Sequence, residues 1–577
     1  MKLPPFLKRM FAARWIGLLT AGIVLVSLVA YYPDVADDFD VWWHLKYGEH
    51  FVRHLTWTID HSSFSWTPSN PSWIYVSWLG SSLLYLVHQI GGYPALVVLQ
   101  WLIFFGMAGL FFEFIRRCQS AWTMSHLAGL LLAGVAMNPV AVYIKPELFT
   151  LLFFTIAVFI YFVSKTTRKN YFWIYPLLFL VWVNTHGGFI NGLGFITIAL
   201  MAEAASYAFK HPDRMMRPLL WKFAVCVALA YAAALINPHG AAYWVNIVEG
   251  AAQSGSHIHS ITAYSPLWIY LFPQGFPFRK TNTAWAMILM AVILFFMAGA
   301  GLIRKKQLSP PVLALNLVFF VFGFLVFRVS IYFCILWLFS CHYLCRLGQW
   351  RFNLPVAIAA FLFSLAVSGM IIYETIVYNT YNSRFGSRIA DFVPAASVAF
   401  VAQHRLPGPL FNDYLSGGYL IWAMDPSRKV FIDPRCGPYQ STGVWKDYLA
   451  LLAGGDLRLL DVKYPCNTAV IMNANYRLIN PFLKSPDWAL VYFDTAGAVF
   501  VRKTCLGALR ESEWRDNMRP ERFSGISNPF ILTAVFYLYC HYHSPSAHAI
   551  ISYYEANVRN SYKGKQFDIR RMNAILH

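Results

Sequence analysis

The sequence predicts an α-helical polytopic membrane protein of about eleven spans, carrying an α/β domain and a helical tail after the last span. Three observations lead there. Of 577 residues 58% are hydrophobic and only 13% are charged, against about 25% charged in soluble domains. Long apolar runs recur at 15–31, 93–114, 148–164, 283–303 and 354–373, each near the roughly 20 residues that a helix needs to cross about 30 Å of hydrocarbon. After residue 380 the texture changes to short apolar segments separated by turn residues.

The formal charge of +19 does not call for nucleic acid, because basic residues collect in the cytoplasmic loops of membrane proteins. Lys2, Lys8, Arg9 and Arg14 precede the first apolar run, which places the N-terminus in the cytoplasm and reads as a retained anchor. Residues 33–73 then lie outside. If 74–90 also crossed, Arg116, Arg117 and the KTTRKN loop at 165–170 would fall outside. If it lies in the interface, the basic clusters at Arg116/Arg117, Lys165/Arg168/Lys169, Lys210/Arg214/Arg217, Arg304/Lys305/Lys306 and Arg346/Arg351 all fall inside. The second reading satisfies the positive-inside rule throughout and puts the C-terminal domain on the external side of a cytoplasmic membrane.

The expected organisation is therefore a transmembrane module at 1–380 with a long first external loop at 33–92, an α/β domain at 381–505 and a helical appendage at 506–577. Within 385–505 the segments PLFNDY, GGYLIWAM, KVFIDPR, TAVIMNAN, WALVYFD and AVFVRK are strand-length and rich in β-formers. Helical stretches at 394–404 and 444–454 separate them. Nine cysteines show no metal-ligand spacing. Cys436, Cys466, Cys505 and Cys540 lie where an oxidising compartment would permit a disulfide.

Ionisable groups at a bilayer are costly, so clusters there are read as functional. The first is DDFDVWWHLKYGEHF at 37–51. With 40–51 helical, Asp40 and His44 share a face; Asp38 joins Asp40 only if 38–40 is extended. A carboxylate here suits a general base or a metal ligand, while Asp37 suits a helix cap. The second is IDHSSFSWT, with Asp60 and His61 in a polar turn. The third is YIKPELF, with Lys145 and Glu147 at a span mouth. The fourth is VNTHGGFINGL, where Asn184 and His186 stand before a Gly187-Gly188 pair that permits close backbone approach. His239 in NPHG and Arg328 after an apolar span complete the set. One or two carboxylates to deprotonate an acceptor, with Lys145, Arg328 and a histidine to neutralise a phosphate leaving group, make a consistent pair of functions. A lipid-phosphate-linked donor fits a bundle with an apolar wall.

Asp38-Phe39-Asp40-Val41-Trp42-Trp43-His44-Leu45, Asp60 with Phe64-Ser65-Trp66-Thr67, and Trp73 with Trp78-Leu79 together resemble a pattern of bacterial polytopic glycosyltransferases of the GT-C superfamily. The likeness continues through Asn184-x-His186-Gly187-Gly188, Asn237-Pro238-x-Gly240, Phe411-Asn412-x-Tyr414, Gly417-Gly418-Tyr419-Leu420 and Phe431-Ile432-Asp433-x-Arg435, and spans most of 10–505. Two positions depart from it: Lys145 stands where arginine is expected and Ser77 where glutamate is frequent. The resemblance implies a GT-C fold in the inner membrane, a catalytic Asp in the first external loop, and a polyprenyl-phosphate sugar donor. The acceptor is left open between protein, glycan and lipid.

The reading that results is an inverting glycosyltransferase. Asp40 is its base, with Asp38 and then Asp60 as alternatives, and His44 orients the carboxylate. Lys145, Glu147, Asn184, His186, His239 and Arg328 form the donor side. Mg²⁺ or Mn²⁺ on Asp38 and Asp40 is compatible but not required by a monophosphate leaving group. Two other classes stand beside it: a transporter of a lipid-linked sugar, which would show repeats or broken helices near the midplane, and a non-catalytic assembly or polysaccharide-binding protein.

Overall fold

The computed structural model describes residues 14–32, 39–253, 265–272, 278–350, 354–377, 389, 392–494, 496–507 and 536. The chain divides into two compact units. The first takes in residues 1–34, 76–83 and 95–379; the second takes in 35–75, 84–94 and 380–577.

The first unit is helical. Its elements are α1 (Arg14–Tyr31), the outer parts of α3 (Trp78–Arg117), α4 (Met124–Ala141), α5 (Glu147–Thr167), α6 (Tyr175–Thr185), α7 (Phe189–Ala208), α8 (Arg217–Ala233), α9 (Ala241–Gln253), α10 (Phe278–Ile303), α11 (Pro310–Leu325), α12 (Ser330–Leu347) and α13 (Leu354–Val377). In chain order α2 (Asp40–His54) follows α1 and belongs to the second unit. Among the described residues seven helices are long and apolar enough to cross a membrane, and Trp15–Tyr31, Phe172–Thr185 and Pro310–Leu325 are shorter apolar helices. The chain is a multi-pass membrane protein.

Helix α3 is not one rod. Gly91 (φ −158°, ψ 24°) and Gly92 (φ 63°, ψ −150°) leave the helical region, and the positive φ at Gly92 is one that other residues rarely adopt. Residues 78–90 on their own would be roughly 20 Å long, short of the hydrocarbon thickness.

Polar side chains inside the bundle tie helices together. Asn138 of α4 donates to the Tyr31 carbonyl at 2.9 Å, and Gln100 donates to the Ala141 and Val142 carbonyls at 3.1 and 2.8 Å. Lys165, expected as a solvated loop cation, is instead buried. Its Nζ lies 2.7 Å from Glu203 and 3.2 Å from Asp213, with Tyr161 also donating to Glu203 at 2.7 Å. An ammonium at the end of a span is stable out of water only when paired in this way.

The second unit holds α2, α14 (Ala395–Gln403), α15 (Gly417–Met424), α16 (Val444–Leu452), α17 (Tyr476–Lys484) and the strands β1 (Leu410–Asn412), β2 (Thr468–Met472), β3 (Trp488–Phe493) and β4 (Gly497–Arg502). Among the described residues the sheet is mixed, in the order β1-β2-β4-β3. Strand β1 runs parallel to β2, with Leu410 opposite Thr468; β4 pairs antiparallel with both β2 and β3. Every residue of β2 is buried, which suits its continuous apolar run TAVIM. Phe411, Phe431, Tyr439, Phe482 and Phe500 form the centre of the core.

Two strand-length segments behave differently from expectation. GGYLIWAM is helix α15; a short apolar run does not by itself distinguish helix from buried strand. KVFIDPR crosses the core without a strand, apart from one parallel bridge between Val430 and Ser65. Cys436, Cys466 and Cys505 are free thiols. The expected helical appendage, apart from residues 506, 507 and 536, lies outside the described residues, as do Cys540, Asp37 and Asp38.

Candidate active-site residues

In the second unit Asp40 opens α2. A carboxylate in the first helical turn is favoured by the unsatisfied N–H groups there. Trp43 Nε1, one turn on, donates to Asp40 Oδ1 at 3.1 Å. His44 was expected to orient this carboxylate; the structure gives it a hydrogen bond between Nδ1 and the Tyr75 hydroxyl at 2.8 Å, with its ring stacked on Trp43 at 3.7 Å. The aromatic pair WW is thus divided in role. Trp42 is fully buried against Tyr93 and Tyr419, and Trp43 holds the acid.

The start of α2 packs closely on α15. A Cβ at Gly418 would collide with the Phe39 carbonyl, and one at Gly417 would collide with the Ile432 carbonyl. The Tyr414 hydroxyl donates to the Pro434 carbonyl at 3.1 Å. Burial holds this phenol well above the usual tyrosine range, and charge on Cys436, Asp40 and Asp433 adds to the effect.

Asp60 is used locally. It is exposed, caps a 3₁₀ turn at His61–Phe64, and accepts from Ser62 N at 2.8 Å and Ser62 Oγ at 2.6 Å. These bonds hold its carboxyl below the ordinary aspartate range. Among the described residues no group of three or more His, Cys, Asp or Glu side chains is placed to hold a metal ion, and Asp38 is not among them.

In the first unit four of the expected residues come together. Glu147, at the N-terminus of α5, is 4% exposed. Arg328 grips it with two bonds, Nε to Oε1 at 2.7 Å and Nη2 to Oε2 at 2.8 Å. Lys145 Nζ lies 3.9 Å from Glu147 Oε2 and 5.3 Å from the Tyr143 ring centroid. His186 shares a hydrogen bond with Thr150 Oγ1 at 2.9 Å, and Trp182 Nε1 donates to the same hydroxyl at 2.8 Å. The Gly188 N–H donates to His186 Nδ1 at 3.1 Å. Close approach is required here, since a Cβ at Gly188 would meet Thr150 Cγ2 at 2.6 Å. Burial lowers the His186 pKa to about 4; Glu147 opposes that shift, and Arg328 and Lys145 add to it.

The other two residues are placed differently. Asn184 accepts from Trp78 Nε1 at 2.9 Å and donates to the Leu180 and Ile236 carbonyls, both at 2.9 Å. It fastens helices rather than offering a free amide. His239 lies in the NPHG turn, where its own N–H donates to Asn237 Oδ1 at 3.0 Å.

Sequence reasoning missed three partners: Trp43 for Asp40, Tyr75 for His44 and Thr150 for His186. The i+3 spacing of Asp40 and Trp43 was a usable signal. Nothing local marks Tyr75 or Thr150.

The fold and these groups define a multi-pass helical membrane protein with a cationic cluster at helix ends and a tryptophan-held carboxylate in a second unit. No family model matches the chain, and no curated protein matches it. Among solved structures it is similar to ArnT from Cupriavidus metallidurans bound to undecaprenyl phosphate, at 14% identity over 85% of this chain and 99% of that one, with a TM-score of 0.47. It is also similar to the oligosaccharyltransferase of Archaeoglobus fulgidus in the apo form, at 10% identity over 80% and 71% of the two chains, TM-score 0.48. A third similarity is to the mycobacterial arabinofuranosyltransferase AftD, at 13% identity over 85% of this chain and 41% of that one, TM-score 0.47. Likeness at this level carries neither a reaction nor a residue role across.

Proposed function

We propose that this chain is a membrane glycosyltransferase of the GT-C superfamily that moves a sugar from a polyprenyl-phosphate-linked donor to an extracytoplasmic acceptor. The observation that carries the reading is the gathering of Lys145 and Arg328, distant from each other in sequence, on a shared buried carboxylate, Glu147. Two cations against one anion leave a net positive charge, which suits a phosphate monoanion or dianion. The acidic-aromatic motif at 38–45 carries the proposed base, Asp40.

In this reading Asp40 accepts the proton of an acceptor hydroxyl. The oxygen attacks the anomeric carbon from the face opposite the phosphate, the anomeric carbon–oxygen bond breaks, and polyprenyl phosphate leaves with its charge met by Lys145 and Arg328. The anomeric configuration inverts. Trp43 keeps one carboxylate oxygen oriented through its indole N–H. Asp38 is the alternative base. His186, kept neutral by burial, donates or accepts a hydrogen bond without adding charge. A divalent ion held by Asp38 and Asp40 would supply charge stabilisation to a donor phosphate when bound.

Native mass spectrometry of the protein purified in mild detergent tests the donor class. The expected result is a co-purified polyprenyl-phosphate lipid in the wild type and its loss in a Lys145→Ala/Arg328→Ala double variant. A wild-type protein free of such lipid, and unable to take it up when it is added, would contradict the reading.

A further inference from the structure

Arg435 is wholly buried, and its guanidinium is saturated with partners. Its Nε and Nη2 grip Asp433 Oδ1 and Oδ2, both at 2.7 Å. Its Nη1 donates to the Tyr47 hydroxyl at 2.9 Å and to the His61 carbonyl at 2.8 Å. Its Nη2 also reaches Ser65 Oγ and the Tyr439 hydroxyl, both at 3.2 Å. The rings of Tyr47, Phe64 and Tyr439 surround the cation at 5.8, 5.3 and 5.9 Å. Tyr439 in turn donates to Asp433.

The pair is neutral overall, so its effect on Asp40 is not one of charge. It is mechanical. Tyr47 lies on α2 seven positions after Asp40, two turns along the same helix and on nearly the same face. Its oxygen accepts from Arg435 and is 2.6 Å from His61 Nδ1. Burial pushes the Tyr47 pKa up to about 12, so the hydroxyl keeps its proton while it shares a hydrogen bond with His61. The start of α2 is held by the close approach of Gly418 to Phe39, and Lys46 pairs with Asp425 at 3.1 Å. Helix α2 is thus gripped at its start and at its middle by residues 418–435.

We propose that Arg435 is a positioning residue for Asp40: through Tyr47 it fixes the rotation and depth of α2, so the FIDPR segment sets where the carboxylate points. This rests on the reading of Asp40 as the general base. Elsewhere a buried ion pair brings little net stability and costs desolvation. Here it joins a helix to a segment nearly 390 positions away, and the fork geometry of arginine is what lets one group hold Asp433, Tyr47 and His61 together.

The test uses the full chain in nanodiscs, with Tyr47→Phe and Arg435→Lys. Tyr47→Phe keeps the ring and removes only the hydroxyl, so it reports even if Arg435→Lys fails to fold. Hydrogen–deuterium exchange is compared between peptides covering 40–54 and those covering 468–502. Exchange in α2 is expected to quicken by about tenfold or more while the sheet is unchanged. Transfer should lose at least about tenfold in kcat with the donor KM held, since misplacement of a catalytic group acts on the transition state. Unchanged exchange in α2, or equal loosening of α2 and the sheet, would overturn the clamp. A loosened α2 with full kcat would overturn the positioning role. A wild-type protein that transfers no sugar would overturn the function reading, and the exchange result separates that failure from failure of the clamp.

Discussion

Arg328 and Glu147, 181 positions apart, form a two-pronged ion pair with both bonds between 2.7 and 2.8 Å. The carboxylate side chain is 5% exposed and the guanidinium 30%. Removing the arginine strands a buried charge. Arg328→Ala should therefore destabilise the protein toward the lower end of the about 3–5 kcal/mol typical of broken buried pairs, the partial exposure of Arg328 reducing the loss. Thermal unfolding in detergent measures it, and Glu147→Gln, which keeps the shape and removes the charge, should cost less.

Lys145 is tied more loosely, 3.9 Å from Glu147. Lys145→Ala should leave the unfolding midpoint within about a degree or two, because Glu147 keeps its two bonds from Arg328. Binding of polyprenyl phosphate should weaken by at least about tenfold, since the charge acts in a poorly screened site. Equilibrium binding of the lipid to the two proteins in nanodiscs checks both parts.

His186 gives a pH signature. Burial depresses its folded pKa to about 4 from the ordinary 6.5. Between those values the unfolded chain holds the proton and the folded chain does not, so stability rises with pH across the window. Its contribution is fully present above about pH 6.5 and is lost as pH falls toward 4. His186→Gln should flatten that slope in unfolding measured from pH 4 to 7. An unchanged slope would place the titrating group elsewhere.

Much of this architecture is legible locally. The apolar runs mark spans because bilayer thickness sets their length, and TAVIM, WALVYF and GAVFVR mark strands through β-branched and aromatic residues. GGYLIWAM misleads because its two glycines serve packing against Ile432 and Phe39, which the segment itself does not reveal. Glu147 and Arg328 are each visible as ionisable residues at span mouths, but their pairing depends on tertiary contact. The same holds for Arg435, whose partners Tyr47, His61 and Ser65 lie 388, 374 and 370 positions away. Lys165 looks like a positive-inside loop residue until Glu203 and Asp213 are seen beside it.

The central claim is that Asp40 takes a proton during transfer from a lipid-linked sugar, and Asp40→Asn tests it most directly. Asparagine keeps the shape and can still accept the Trp43 hydrogen bond through its carbonyl, but it cannot take the acceptor's proton. Sugar transfer by the reconstituted protein, supplied with polyprenyl-phosphate sugars and envelope acceptors, should fall by at least about a hundredfold. Binding of the donor lipid should be retained, because it rests on apolar contacts and the cations of the other unit. A stable Asp40→Asn protein that transfers sugar at the wild-type rate would contradict the account and move the base to Asp38, then Asp60.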